Sequence, residues 1–226
     1  LPENEEKFRT LVKKLADAAP QRIVSASRLA SQMAVKARLM AEVIKMALNE
    51  SIQKKAAFGG TEQYSSNSQL LGQMEAFRRV LIKDITPESF ADIYAQTIAY
   101  GMFAARLHDH TPDTFSRQEA ATLIPKTNPF LRQIFQSIAG YDLDDRIAWI
   151  VDDLAATFRV TDVAGIMEAY GKDGKHSDPM IHFYEDFLSA YDPALRKAKG
   201  VWYTPQPVVR FIVRAVDQLL QSAFGL

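Results

Sequence analysis

Apolar residues recur every three or four positions along most of the chain, which is the spacing of one face of an α-helix. The longest run lies in residues 25–49, and the cleanest lies in residues 143–158. In the first run the apolar positions are Leu29, Met33, Ala37, Met40, Ile44 and Leu48. No stretch alternates apolar and polar residues in the manner of a half-buried strand. The pattern predicts an all-α protein built as a multi-helix bundle.

Helix starts are marked by a capping side chain followed by proline. Such side chains accept the free N–H groups of a first turn, and proline suits the first helical position. Five predicted helices begin at Thr86-Pro87, Asn128-Pro129, Asp178-Pro179, Asp192-Pro193 and Thr204-Pro205. A sixth is predicted to be capped by Thr161 and to end at Gly171, a typical residue after a helix.

Residues 57–69 are rich in Gly, Ser and Asn and have no apolar period, which predicts a loop. We therefore divide the chain into an N-terminal helical arm (residues 1–57), a loop (58–72), a helical connector bundle (73–199) and a final segment (200–226).

The composition is that of an ordinary globular protein, with 226 residues, 47% of them apolar and 24% charged. Lys plus Arg equals Asp plus Glu at 27 each, which argues against a nucleic-acid grip spread over the whole surface. The absence of cysteine excludes thiolate zinc sites and disulfides. The acidic start without methionine, and the lack of any apolar run of about 20 residues, predict a cytoplasmic fragment of a larger multidomain protein, with no membrane contact.

Several side-chain groups could in principle carry chemistry, but each has a simpler interpretation. The histidines, His108, His110, His176 and His182, lack a third ligand at a recognisable spacing, so no metal site is predicted. The aspartates near the 143–158 helix are Asp142, Asp144, Asp145, Asp152 and Asp153, and they lie off its apolar face. We interpret them as a solvated face rather than a nuclease metal site. No acid, base or nucleophile set converges, so no catalytic residue is predicted.

Three further groups have the same kind of simple interpretation. Residues 171–175 (Gly-Lys-Asp-Gly-Lys) follow a predicted helix instead of a strand, so we interpret them as a basic turn and not a phosphate loop. Arg78, Arg79 and Lys83 could contact phosphate but are predicted to form a solvated helix face. The aromatic set of Phe183, Tyr184, Phe187 and Tyr191 has helical spacing and is predicted to be core.

Residues 200–209 read Gly-Val-Trp-Tyr-Thr-Pro-Gln-Pro-Val-Val. This segment closely resembles the N-terminal motif of the methylase core in N-6 adenine-specific DNA methyltransferases of large restriction-modification proteins. Residues 90–106, 126–132 and 143–154 resemble the helical region that precedes the motif in those proteins. The resemblance covers about residues 70–226.

The resemblance implies S-adenosylmethionine as the cofactor of the full-length protein. It places Tyr203, Thr204 and Pro205 at the end of the cofactor pocket that holds the methionine part, with Trp202 packing against that end. The residues suit this role, because a capping Thr204 and the bare N–H groups of the following helix can receive a carboxylate. Without a ligand, the same residues are simply a capped helix start.

Two motifs of the family are missing from these 226 residues. They are the glycine-rich cofactor turn and the catalytic Asn-Pro-Pro-Tyr/Phe motif, and Asn128-Pro129-Phe130 lacks the second proline. The resemblance therefore implies a helical connector between flanking nuclease and methylase domains, inactive alone, whose full-length protein methylates adenine N-6 in DNA. The alternative is a non-catalytic helical protein-interaction module, in which the 25–49 helix binds a partner helix.

Overall fold

The computed structural model of the chain describes residues 2–16, 22–57, 66–124, 132–136, 143–172, 179–194, 197, 204 and 206–225. Its main helices are α1 (Pro2–Ala16), α2 (Ala26–Ala57), α3 (Ser66–Val80), α4 (Pro87–Leu107), α5 (Arg117–Leu123), α6 (Asp145–Arg159), α7 (Val163–Lys172), α8 (Pro179–Tyr191) and α9 (Gln206–Leu219). A 3₁₀ turn spans Pro112–Thr114, and a π-helical turn, Leu220–Phe224, follows α9. Over these ranges there is no strand, which confirms the all-α prediction.

Helix α2 is the centre of the bundle. It packs against α3, α4, α6 and α8, and at 1.5 Å per residue its 32 residues extend about 48 Å. Its buried residues follow the predicted period and are Leu29, Ala30, Met33, Ala34, Ala37, Met40, Ala41, Ile44, Ala47, Leu48 and Ser51. The many alanines on this face let the neighbouring helices approach closely.

The predicted separation of an arm (1–57) from a bundle by a loop (58–72) does not fit this packing. Helix α2 shares one core with the later helices, and α3 begins at Ser66, inside the predicted loop. The polar composition there hid a short apolar period at Leu70, Met74 and Phe77, which are all buried. By contrast, α1 has only exposed side chains among those described.

The start of α4 forms as the sequence predicts. The Thr86 hydroxyl accepts a hydrogen bond from the Ser89 N–H at 3.2 Å, and Pro87 is the first helical residue. Ile85 before the cap and Phe90 after it are both buried, as in a hydrophobic staple. Local sequence alone is sufficient to start this helix.

The predicted cap of α7 was wrong by one residue. Asp162, not Thr161, accepts the first-turn N–H, that of Gly165, at 3.1 Å. Thr161 is buried instead, and its hydroxyl donates to the Thr157 carbonyl at 2.7 Å. Thr161 also pairs with Ile23 in an isolated β-bridge. This long-range pairing holds Thr161 in place and leaves the capping position to its neighbour.

Aromatic side chains fill the space between α4, α6 and α8. The Phe103 ring stacks on Phe183 with centroids 4.2 Å apart, and Phe158 lies 6.3 Å from Phe103. Phe183, Phe187 and Tyr191 are buried as predicted for core residues, whereas Tyr184 of the same set is only partly buried against them. Among the described helices, none is long and apolar enough to cross a membrane.

Asp144 caps the start of α6 and should make the stability of the protein depend on pH. Hydrogen bonds from Arg146 lower the pKa of its carboxyl, and Arg146 Nη2 lies 2.7 Å from Asp144 Oδ2. Because the folded pKa lies below the unfolded one, this stabilisation is present above the ordinary pKa of about 4 and is lost as the pH falls below it. We expect Asp144→Asn to lower the free energy of unfolding by about 1–2 kcal/mol at pH 7.

Urea denaturation at pH 7 and pH 3 measures this effect. The difference between Asp144→Asn and wild type should be smaller at pH 3, because the carboxyl of the unfolded chain is mostly protonated there and the wild type loses its advantage as the pH falls toward the lowered folded pKa. Asp153→Asn is the control, since Asp153 is half-exposed in its ion pair with Lys36 and should change stability little at either pH. An equal loss for Asp144→Asn at both pH values would contradict the electrostatic explanation.

Candidate functional site

Helix α9 combines a wide apolar face with near-complete exposure. Its side chains from residue 207 to residue 219 are exposed except Ala215, which is intermediate. At about 100° per residue the apolar side chains cover roughly 200° of the circumference. They are Val208, Val209, Phe211, Ile212, Val213, Ala215, Val216 and Leu219. Arg210, Arg214, Asp217 and Gln218 occupy the remaining side.

Thr204 is the predicted cofactor residue that the structure describes. It is exposed and non-helical, and it lies two positions before Gln206, the first helical residue of α9. The other three predicted residues, Trp202, Tyr203 and Pro205, lie outside the described residues. Thr204 is thus exposed just before α9. That it lies close to Trp202, Tyr203 and Pro205 in one site stays a prediction.

The chemistry at this helix start suits an anionic group. A 14-residue helix leaves its first N–H groups without intrahelical acceptors, and its amino end carries partial positive charge. The Thr204 hydroxyl can add a further donor beside them. A methionyl carboxylate matches this donor set, whereas the exposed side chains of α9 supply no enclosing wall for the rest of a cofactor. The described residues therefore supply possible donors for an anionic group but no enclosing walls.

The carboxyl end of α8, from which the chain runs toward Thr204, is held by two other helices. Arg38 of α2 donates to the Tyr191 carbonyl at 2.9 Å and also to the Ala190 carbonyl. The Tyr191 hydroxyl donates to Asp92 Oδ1 of α4 at 2.6 Å. Burial raises the pKa of the Tyr191 hydroxyl and the Asp92 carboxylate raises it further, so the hydroxyl stays a donor at neutral pH. This end of α8 is therefore firmly fixed.

The aspartates near α6 pair with separate cations instead of converging on one point. Asp144 pairs with Arg146, and Asp152 Oδ1 lies 3.2 Å from Arg117 Nε. Asp153 pairs with Lys36. Asp142 lies outside the described residues. The exposed positions of Asp145, Asp152 and Asp153 agree with the predicted solvated face, whereas Asp144 is buried beside Arg146.

The histidines likewise form no metal centre in the part of the chain described. No group of three potential ligands comes together there. His182 Nδ1 lies 3.6 Å from a Glu185 carboxylate oxygen, one turn along α8. The first two residues of the predicted basic turn, 171 and 172, are the last of α7, which extends past the predicted end at Gly171; residues 173–176 lie outside the described residues.

An open groove of about 730 Å³ is lined by Arg78 and Arg79 at the end of α3, by Lys83 just after it, and by Val80, Leu81 and Asp84. Arg78 uses its guanidinium to donate to the Ile85 carbonyl at 2.9 Å, and Arg79 and Lys83 are exposed. Exposed apolar side chains beside the three cations make this groove a mixed surface, not a dedicated phosphate site.

A second cavity of about 500 Å³ lies between the end of α4 and the start of α7. Three arginines and three aspartates line it, namely Arg22, Arg106, Arg159, Asp109, Asp113 and Asp162. The two buried members, Arg106 and Asp109, pair with each other at 3.7 Å. The charges cancel, so the cavity has no net preference for a cation or an anion.

Sequence reasoning missed the role of Arg38. The residue lies in the predicted 25–49 helix, yet it caps the carboxyl end of a helix 152 positions later in the chain. Arginine near the last carbonyls of a helix is a known stabilising arrangement. No local spacing links the two segments, so no signal in the sequence could have found the contact.

The end of the chain that contains α8, Thr204 and α9 matches a known family. The N-6 DNA methylase family model matches residues 175–223. The match links this part of the chain to adenine methyltransferases and covers the segment whose motif resembles theirs. No curated protein and no solved structure matches the chain.

Proposed function

We propose that the chain is the helical connector of a site-specific adenine DNA methyltransferase in a restriction-modification system. In the full-length protein, the methyl group passes from S-adenosylmethionine to N-6 of adenine in DNA, leaving S-adenosylhomocysteine and a proton. The proposal rests above all on the family match at residues 175–223, which spans the Trp202–Pro205 motif. The protein is proposed to be cytoplasmic and to contact DNA.

Within this proposal, the start of α9 receives the methionine end of the cofactor. Thr204 donates from its hydroxyl to the carboxylate, beside the free N–H groups of the first turn. Tyr203 and Pro205 line the same end, and Trp202 packs behind them. The remaining walls come from the methylase domain, and a nuclease domain flanks the bundle on its other side. The bundle then sets the spacing between the two domains.

Replacing Thr204 tests the cofactor assignment. In the full-length protein, Thr204→Ala should raise the Kd for S-adenosylmethionine by about tenfold, because one charge-assisted hydrogen bond is lost. Thr204→Ser, which keeps the hydroxyl, should restore most of the affinity. Calorimetry measures the Kd, and transfer of a labelled methyl group to adenine in DNA measures the activity.

Thr122→Ala is the matched control for this experiment. Thr122 is an exposed threonine on α5, as Thr204 is exposed, and its hydroxyl donates to a local carbonyl, that of Glu119 at 2.8 Å. Its removal should leave cofactor affinity unchanged. If Thr204→Ala also leaves the affinity unchanged, Thr204 is a structural cap alone. If the wild-type full-length protein binds no S-adenosylmethionine, the methyltransferase proposal itself fails.

A non-catalytic protein-interaction module is the second proposal, and one observation favours it. Val35, Leu39 and Met46 lie on one line along α2, on the side opposite its buried face, and are 52%, 41% and 59% exposed. Such a line could contact a partner helix. The main apolar face of α2 is fully used inside the bundle, which limits this surface to three residues. Cofactor binding by the full-length protein would decide against this function.

A further inference from the structure

We propose that Arg38, Asp92 and Tyr191, here named the α8 anchor, are positioning residues for the cofactor segment. The inference rests on the proposed function, because it assigns the bundle a task in placing Thr204. The anchor fixes the carboxyl end of α8, which precedes residues 202–205 in the chain. It acts through the backbone and touches no substrate.

The contacts of the anchor come from two helices and meet at one point. Arg38 of α2 donates to the Ala190 and Tyr191 carbonyls, which are among the last in α8. Asp92 of α4 accepts the Tyr191 hydroxyl at 2.6 Å. The Asp192 N–H donates to the Leu188 carbonyl at 2.9 Å and closes the helix. Both main-chain and side-chain groups of the final turn are thus bonded across the bundle.

The exposure of the chain changes sharply at this place. Tyr191 is buried, with its ring centroid 5.8 Å from that of Phe187, whereas Pro193, Ala194 and Lys197 are exposed. Described residues from 204 onward are exposed almost throughout. The anchor therefore lies where the described chain passes from buried residues to the exposed residues that precede the cofactor segment.

The consequence for binding follows from conformational entropy. Thr204 lies 13 positions after Tyr191. Fixing the carboxyl end of α8 therefore limits the positions that Thr204 can occupy. If the carboxyl end of α8 is less firmly held, the cofactor segment can adopt more conformations. Cofactor binding must then restrict these conformations, at a cost in entropy. Loss of an anchor bond should therefore weaken cofactor binding even though no contacting residue has changed.

Tyr191→Phe tests this inference, and Tyr100→Phe is its matched control. Each removes one tyrosine hydroxyl that donates at 2.6 Å, the first to Asp92 at the end of α8 and the second to the Met180 carbonyl at its beginning. Both keep the ring, so both should lower the melting temperature by a similar amount. A merely structural role predicts no further difference between the variants.

Two measurements separate positioning from stability. Hydrogen exchange on the 226-residue chain follows the Asp192 amide, which should exchange about fivefold faster in Tyr191→Phe and be nearly unchanged in Tyr100→Phe. Calorimetry on the full-length protein follows S-adenosylmethionine, whose Kd should rise about fivefold in Tyr191→Phe alone. Arg38→Met, which keeps an aliphatic side chain but removes the donors, should behave as Tyr191→Phe does.

The outcomes distinguish this inference from the proposed function. Equal cofactor affinity in wild type and Tyr191→Phe would overturn the positioning role while leaving the methyltransferase assignment intact. Unchanged exchange at Asp192 in Tyr191→Phe would overturn the anchor itself, whatever the cofactor data. An equal loss of affinity in both tyrosine variants would reduce the effect to general destabilisation. Failure of the wild-type protein to bind the cofactor would remove both proposals.

Discussion

Phe103→Ala is expected to lower the free energy of unfolding by about 3–5 kcal/mol, which is a large fraction of the stability of an ordinary domain. The Phe103 ring is fully buried on α4, where it stacks on Phe183 at 4.2 Å and lies 6.3 Å from Phe158. Truncation removes the contacts of three helices at once and leaves a cavity that rings on rigid helices cannot easily fill. Chemical denaturation followed by circular dichroism measures the change.

Phe211→Ala provides the control for Phe103. Phe211 is 72% exposed on α9, so its loss should change stability by less than about 0.5 kcal/mol. A loss for Phe103→Ala below about 1 kcal/mol would mean that the aromatic cluster is not the tightly packed centre described here.

Removal of residues 1–57 is expected to abolish cooperative folding. This deletion takes away α2, which packs on α3, α4, α6 and α8 and buries ten apolar residues and Ser51. The facing helices would then expose the apolar sides that α2 covers in the described structure. We expect the truncated chain to aggregate or to lose its sharp thermal transition, as followed by circular dichroism and calorimetry.

Removal of residues 1–21 alone is the matched deletion. It takes away α1, whose described side chains are exposed, and keeps both Ile23 and α2. The melting temperature should stay within about 4 °C of the full chain, corresponding to less than about 1 kcal/mol. A cooperative fold in the 58–226 chain would show instead that residues 1–57 are an arm independent of the bundle.

The fold class was predictable because the decisive signals are local. The cap at Thr86, the proline at the first helical position and the staple between Ile85 and Phe90 all lie within six residues of one another. The same holds for the period of α2, which matches its buried face. Helix-forming patterns of this kind can be recognised without knowing what each helix packs against.

The arrangement of the helices was less predictable, because it depends on contacts between distant segments. A long apolar face on residues 25–49 fits an independent arm as well as a central helix, and only the partners decide between them. Thr161 and Asp162 were equally good capping residues, and a bridge to Ile23, more than a hundred positions away, selected Asp162. The start of α3 was predicted as a loop because its first residues are polar.

The cofactor segment shows the same limit. Its motif was recognisable from about ten consecutive residues, and the family match covers the same stretch. The roles of Trp202, Tyr203, Thr204 and Pro205 all stay predictions. The Arg38 contacts with the end of α8 could not be inferred, because nothing near residue 38 indicates a partner near residue 190.

The exposed valine-rich face of α9 has a consequence for how this helix acquires its shape. Val208, Val209, Val213 and Val216 are poor helix formers, and a helix of about 14 residues is marginal in water without packing. Formation of the helix and burial of its apolar face should therefore be coupled. The entropy lost when the helix becomes ordered lowers the affinity with which its apolar face binds a covering surface. Such binding can be specific and still readily reversible.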